Sequence, residues 1–383
     1  MEKKIEGFDD IRPFYDDEIP SVMAKLSADP QFKKVVEKNL PHFNWEDLKS
    51  KLLEMKSKFQ FQELLIKQAI LVVLEKTSKS VNCKGLENIS PSQSYTYISN
   101  HRDIVLDICI LCVLLVDAGH DTCEVCFGDN LLAAPWITDL LRVNKGITVK
   151  RGVGARQLYE VSKQLSDYIH HSINEKKQSV WISQREGRAK NSDDKTQLSV
   201  LKMLNLSGGK NFLENIAQFN IAPISFSYEF DPCDYLKAEE FQLKRDNPEY
   251  KKTKEDDVKN MGTGILGYKG RIHFQFGRPI NQFLSQIDEA IDKNEQIAQV
   301  ASLIDKEIYL NYRFYPINYV AYDKLWGNNE RFKSKYTESE QKEVEAYFQQ
   351  RIDLIRIPDK DIPFLTEKLL EMYAYPVKNY LEA

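Results

Sequence analysis

The stretch Ser94-Tyr95-Thr96-Tyr97-Ile98-Ser99-Asn100-His101-Arg102-Asp103-Ile104-Val105-Leu106-Asp107 joins two kinds of local pattern. Within residues 94–99, Tyr95, Thr96, Tyr97 and Ile98 are β-branched or aromatic, which suits a buried strand. From Ile104 to Ala118 the chain is almost wholly apolar, with Asp107 inside it, and reads as a helix. A strand feeding a helix through a short polar loop is the repeating unit of an α/β layer fold. His101 therefore sits at the carboxyl end of a strand, where open α/β sheets bind their ligands.

The same unit recurs downstream. Strands are expected at Cys123–Phe127, Ile147–Lys150, Ser179–Ser183, Ile221–Tyr228 and Arg271–Phe276. Helices are expected at Leu131–Val143 and from Ala155 to about Glu175. The latter carries Leu158, Val161, Leu165, Ile169 and Ile173 on one face. The charge-dense stretch Asp234–Lys259 reads as a helical excursion. The fold class expected is α/β, a mostly parallel central sheet flanked by helices, with helical segments at both ends. Glycine placement supports the partition, because 14 of the 16 glycines fall between Gly85 and Gly277. The expected divisions are a helical region over 1–82, an α/β domain over 83–290 and a helical region over 291–383. In the first, Ile66, Ile70, Val73 and Leu74 recur at helical spacing. Its lysines Lys56, Lys58, Lys67 and Lys76 suit a solvated face or an anionic lipid surface. Thr337-x-x-Glu340 opens an amphipathic helix as a capping box.

Composition excludes several classes. At 383 residues, 42% hydrophobic and 29% charged, the chain can bury a sizeable core and is not disordered. Its 53 basic and 57 acidic residues leave a net charge of −4, so a chain-wide affinity for nucleic acid is not expected. No apolar run is long enough to span a bilayer, and the first ten residues lack the core of a signal peptide. Six cysteines suit a reducing compartment. The pairs Cys109/Cys112 and Cys123/Cys126 have zinc-like spacing. Strand alternation, however, sends the second pair to opposite faces, so no metal site is expected.

Three polar clusters follow strands. The first is His101 with a carboxylate onward, either Asp107 or Asp103. A carboxylate fixes the imidazole tautomer and stabilises the imidazolium formed on proton abstraction, which is how a general base is built. His42, His120, His170, His171 and His273 lack such a setting. The second is Lys150-Arg151-Gly152-x-Gly154, two cations and a glycine loop before a helix, which suits an anion. The third is Gln184-Arg185-Glu186-Gly187-Arg188 with Lys190. A base and two cationic loops on one sheet edge imply a substrate with a hydroxyl and a phosphate.

Over residues 83–282 the chain resembles the glycerolipid acyltransferases, which include glycerol-3-phosphate and lysophosphatidate acyltransferases. The resemblance rests on four blocks in order: Asn100-His101-Arg102 with Asp107; Gly146-Ile147-Thr148-Val149-Lys150-Arg151; Ser183-Gln184-Arg185-Glu186-Gly187-Arg188; and Ile221-Ala222-Pro223-Ile224-Ser225-Phe226-Ser227-Tyr228. Two spacings depart from the family. His101 and Asp107 are separated by five residues instead of four, and Glu186-Gly187-Arg188 is one residue shorter than Glu-Gly-x-Arg. The resemblance implies direct acyl transfer from an acyl-CoA or acyl-carrier-protein thioester to a hydroxyl of glycerol 3-phosphate or lysophosphatidate, in phospholipid biosynthesis. His101 and Asp107 (or Asp103) would be catalytic. Lys150, Arg151, Arg185, Glu186, Gly187 and Arg188 would surround the acceptor phosphate. No metal or bound cofactor is implied. The enzyme would be cytoplasmic, in peripheral contact with the inner face of the membrane.

Rival readings are weaker. His101-Arg102-Asp103 is similar to a kinase catalytic loop, but the position five after Asp103 is Ile108 and no Asp-Phe-Gly follows. Gly152-x-Gly154 lacks a third glycine at Gln157, against a nucleotide fingerprint. A catalytically inert lipid- or acyl-carrier-binding protein on the same fold is the alternative, supported by the two altered spacings.

Overall fold

A computed structural model describes residues 4–39, 43–132, 134–209, 211–328 and 330–383; His42 lies outside them. Seven strands form one sheet: β1 Ser78–Lys84, β2 Thr96–Ser99, β3 Glu124–Gly128, β4 Gly146–Val149, β5 Val180–Ser183, β6 Ile221–Tyr228 and β7 Gly270–Phe276. Their spatial order is β1-β7-β6-β2-β5-β3-β4. Only the β6–β7 pair is antiparallel. The carboxyl ends of β2 to β6 therefore share one edge with the amino ends of β1 and β7. β1 was not expected: residues 78–82 fall within the region read as helical, and SVNCK is too polar to announce a strand. It is an edge strand, alternately exposed, so pairing with β7 decides its state.

The sheet is sandwiched between two cores. One face packs the long helix Ala155–Asn174 and the helix Lys293–Leu310, around Ile98, Ile182, Ile169 and Ile304. The other packs the helices Gln68–Thr77 and Leu106–Asp117, around Tyr97, Leu111, Trp181 and Phe274. Alternation along the strands explains the division. Cys123 and Cys126 obey it, one in each core, and no group of three His, Cys, Asp or Glu among the described residues is placed to hold a metal ion. On Ala155–Asn174, Leu165, Ile169 and Ile173 are buried, whereas Leu158 at the first turn is exposed.

Two helical units flank the sandwich with cores of their own. The amino-terminal one gathers Ile19, Met23, Leu26, Leu52 and Phe61. Within it Lys58 is buried and paired with Asp16, and Lys67 is paired with Asp117, so neither is an unengaged surface cation. The carboxyl-terminal unit packs Pro316–Leu325, Glu338–Leu354 and Ile362–Glu382 around Val320, Phe348, Leu369 and Tyr373. Thr337 and Glu340 form the expected capping box. Among the described residues no helix is long and apolar enough to cross a membrane.

Candidate active site

β2 ends at Ser99, and Asn100 extends its pairing with side-chain atoms. The Asn100 amide donates to Phe226 O (2.9 Å) and accepts from Phe226 N (2.8 Å), fastening the loop to β6. His101 follows, its ring edge-on to Trp181 at 5.5 Å. Its Nδ1 lies 2.8 Å from Asp107 Oδ2. That same oxygen accepts from Arg102 N (2.6 Å) and Asp103 N (3.0 Å). A fully buried carboxylate is costly unless so satisfied. With Nδ1 committed to Asp107, Nε2 is the ring atom left to take a proton.

Asp103 does something else. Its Oδ1 accepts from Val105 N (2.9 Å) and Leu106 N (2.7 Å), the work of a residue that starts a helix. Burial, then the charge of Asp107, pushes its carboxyl up. The fifth residue between His101 and Asp107 is absorbed in this turn, so the imidazole meets the carboxylate despite the longer spacing. Gly264 closes over it: a Cβ there would fall 2.0 Å from Asp103 Oδ2. Tyr228, at the end of β6, is buried beside the pair. Burial and the charges of Asp107 and Asp103 push its phenol well up, so it stays protonated.

Arg102 turns away from the site. Its guanidinium forks onto Asp194 (2.9 and 2.5 Å), and Asp194 also accepts from Tyr312 Oη at 2.6 Å. Tyr309 Oη donates to the Asp194 carbonyl at 2.8 Å. The residue next to His101 is thus tied to the carboxyl-terminal part of the chain. No local pattern announces Asp194, Tyr309 or Tyr312, which lie 92 to 118 residues apart from their partners.

The loop after β5 is adjacent, because β5 pairs with β2. Gly187 takes φ +66°, the left-handed turn that glycine permits without strain. Gln184 is 1% exposed. Both its amide atoms, Arg185 Nε and Arg188 Nη1 are buried without a protein partner. Arg188 Nη2 has one long contact, 3.4 Å to Asn260 Oδ1. The Glu186 carboxylate is exposed, 3.8 Å from Arg151 Nη1.

The third cluster stands at the sheet's edge, three strands from β2. Arg151 leans back over Gly128, where a Cβ would fall 2.6 Å from its Nε. Lys150 does not join it: its ammonium pairs with Asp10 of the amino-terminal segment. The structure therefore brings His101, Asp107, Arg185 and Arg188 onto neighbouring strand ends, bridges Arg151 to them through Glu186, and ties Lys150 to Asp10.

Residues 80–227 match the protein-family model described as Acyltransferase. This segment holds β2 to β5, most of β1 and β6, and the His101 loop, so the likeness to that family lies in the part of the chain that carries the site. Among solved structures, the chain is loosely similar to the 1-acyl-sn-glycerophosphate (LPA) acyltransferase PlsC from Thermotoga maritima. Identity is 11% over 74% of this chain and 93% of that one, with a TM-score of 0.35. No curated protein matches the chain.

Proposed function

We propose that this acyltransferase moves a fatty acyl group from an acyl-CoA or acyl-carrier-protein thioester to a hydroxyl of a phosphorylated glycerol, glycerol 3-phosphate or lysophosphatidate, in phospholipid biosynthesis. The observation that carries the reading is the His101 Nδ1–Asp107 contact at 2.8 Å, beside two arginines that each hold one buried nitrogen, Arg185 Nε and Arg188 Nη1, without a protein partner. Such nitrogens need acceptors, and a phosphate offers them in a geometry that guanidinium matches.

The chemistry follows from the placement. His101 Nε2 takes the acceptor's hydroxyl proton as the oxygen attacks the thioester carbonyl carbon. Asp107 stabilises the imidazolium. Collapse of the tetrahedral adduct breaks the C–S bond, and the leaving thiolate takes the proton back, giving ester and free thiol without an acyl-enzyme. Neither metal nor bound cofactor enters this scheme. The enzyme works in the cytoplasm and meets the inner face of the membrane peripherally. The inert-binder alternative loses one of its two supports here, since the imidazole still reaches Asp107 despite the altered His-to-Asp spacing; the shortened Glu186-Gly187-Arg188 block is the other.

The test is release of free thiol from a long-chain acyl-CoA and from an acyl-carrier protein, across a panel of acceptors. Turnover with glycerol 3-phosphate or lysophosphatidate is expected. No turnover with any acceptor, from folded protein, would reject catalysis and restore the inert binder.

A further inference from the structure

Tyr228 closes β6 at the edge of the sheet that carries the His101 loop. Ser99 pairs with Ile224 and the Asn100 amide with Phe226, so Tyr228 stands beside the residues that follow Asn100. Side chains two apart on a strand share a face. Tyr228 therefore lies with Ile224 and Phe226 on the face that the helix Leu106–Asp117 covers, in one core with Leu106 and Ile108. Those two residues flank Asp107, which is itself fully buried.

Tyr228 Oη and Asp107 Oδ1 are both buried without a hydrogen-bond partner among the described residues. Asp107 Oδ2 is already engaged, by His101 Nδ1, Arg102 N and Asp103 N. The other carboxylates whose charge reaches the phenol have donors of their own. Asp103 Oδ1 accepts from Val105 N and Leu106 N, and Asp231 accepts from Cys233 N and from the Lys237 ammonium. Asp107 is the charge the phenol feels most, and burial keeps the phenol protonated, so it has a proton to share. A phenylalanine would fill the same space without a stranded hydroxyl. A buried donor and a buried acceptor left unjoined would each carry the full penalty of leaving water.

We propose that Tyr228 is a positioning residue of the acyl-transfer site, its hydroxyl donating to Asp107 Oδ1 and so fixing the plane of the carboxylate that holds His101. This extends the reaction proposed above. With Oδ1 held from β6 and Oδ2 from the N–H groups of its own loop, the carboxylate is kept from rotating. Its Oδ2 then stays in line with Nδ1, and Nε2 stays aimed at the acceptor hydroxyl. The same bond stabilises a charged carboxylate buried away from water. Tyr228 touches neither substrate, and its proton stays on the phenol throughout.

The test is a double-mutant cycle of Tyr228→Phe and Asp107→Asn on the full-length protein, with melting temperatures alongside. Tyr228→Phe keeps the ring and its packing. It should lower kcat about 10-fold, the scale of a hydrogen bond to a charged group, and leave both KM values within about 2-fold. In Asp107→Asn, Arg102 N and Asp103 N still need an acceptor, so the amide oxygen takes the place of Oδ2 and the NH2 group faces Tyr228. The hydroxyl then has nothing to donate to, and adding Tyr228→Phe should slow Asp107→Asn by less than about 2-fold. An unchanged kcat in Tyr228→Phe, or the same loss in both backgrounds, overturns the proposal. A loss carried by KM instead of kcat overturns it as well, since that would put the hydroxyl against a substrate.

A second measurement needs no turnover. In protein labelled with ¹⁵N-histidine, the His101 ring signals are identified by their loss in His101→Ala. Tyr228→Phe should leave Asp107 the stronger acceptor and move the Nδ1 signal downfield, with the other histidines unmoved. His101 signals identical in wild type and Tyr228→Phe overturn the proposal. Where no acceptor turns over, the proposed reaction falls, and this measurement still decides whether Tyr228 reaches Asp107.

Discussion

The loops after β2 and after β5 leave neighbouring strands and face the same edge of the sheet, yet they are built in opposite ways. In the first, most polar groups are satisfied from within, Asp107 Oδ1 being the buried atom left without a partner. Asn100 closes on β6, Asp107 collects two backbone N–H groups and His101, Asp103 caps its helix, and Arg102 is locked to Asp194. In the second, Gln184, Arg185 and Arg188 hold buried polar atoms that the protein does not satisfy. A general base must be held in one geometry before substrate arrives, whereas a binding loop must keep its donors for the ligand. The contrast separates the part that does chemistry from the part that holds.

The sharpest way to break this division is to remove the base. His101→Ala should lower the turnover rate about 10²–10⁴-fold while leaving the melting temperature close to wild type, since the ring adds little to either core. Thiol release by a stopped assay, with thermal melting alongside, checks it. A variant retaining a tenth of the wild-type rate would end the general-base role.

The next effect distinguishes the two carboxylates inside the first loop. Asp107→Asn should lower turnover about 10²-fold or more, because it loses the charge facing the imidazolium. Asp103→Asn should change it only a few-fold, since asparagine caps a helix about as well as aspartate. Steady-state rates at saturating acceptor decide; the reverse ranking would transfer the partnership to Asp103.

A smaller and different effect is expected from the second loop. Arg188→Ala or Arg185→Ala should lower kcat/KM for a phosphorylated acceptor about 10–100-fold, mainly through KM, and leave the donor's KM little changed. Lysine should rescue in part, keeping the charge and losing the fork. Unchanged acceptor kinetics in both alanine variants would mean that the acceptor is not a phosphate ester.

How much of this was legible in the sequence differs by level. The alternation of strand and helix, the strand-end position of His101 and the loop of Gln184 to Arg188 are local patterns, and local patterns are visible in one chain. β1 was missed because its polar residues owe their conformation to a partner almost two hundred residues away. The choice between Asp103 and Asp107 depended on the path of five loop residues, which spacing does not specify. Lys150 reads as an anion ligand until Asp10 is known to cross its edge of the sheet. Asp194 and Tyr312, like the pairing of Lys190 with Glu240, are brought together by tertiary contacts alone.

The smallest expected effect concerns how the second loop is fastened at its far end. Thr196 donates to Asp305 from its backbone N–H (2.9 Å) and its hydroxyl (2.5 Å), joining the loop to the helix Lys293–Leu310. Burial raises the Asp305 carboxyl to about 7, the Thr196 bonds oppose this, and the charges of Asp194 and Asp193 add to it. The folded protein therefore holds a proton that the unfolded chain, with an ordinary carboxyl near 4, has already released. Between those two values the folded state binds more protons. Stability from this group is thus fullest at pH below about 4 and is lost as pH rises through 7. The loss is bounded at about 4 kcal/mol and is smaller where the buried carboxylate finds water. Asp305→Asn keeps an acceptor for Thr196 and cannot ionise. Its melting temperature should fall less than the wild type's between pH 5 and pH 8, by a few degrees. If both proteins lose stability in parallel over that range, Asp305 is ionised already at pH 5, and the fastening of the loop does not depend on its proton.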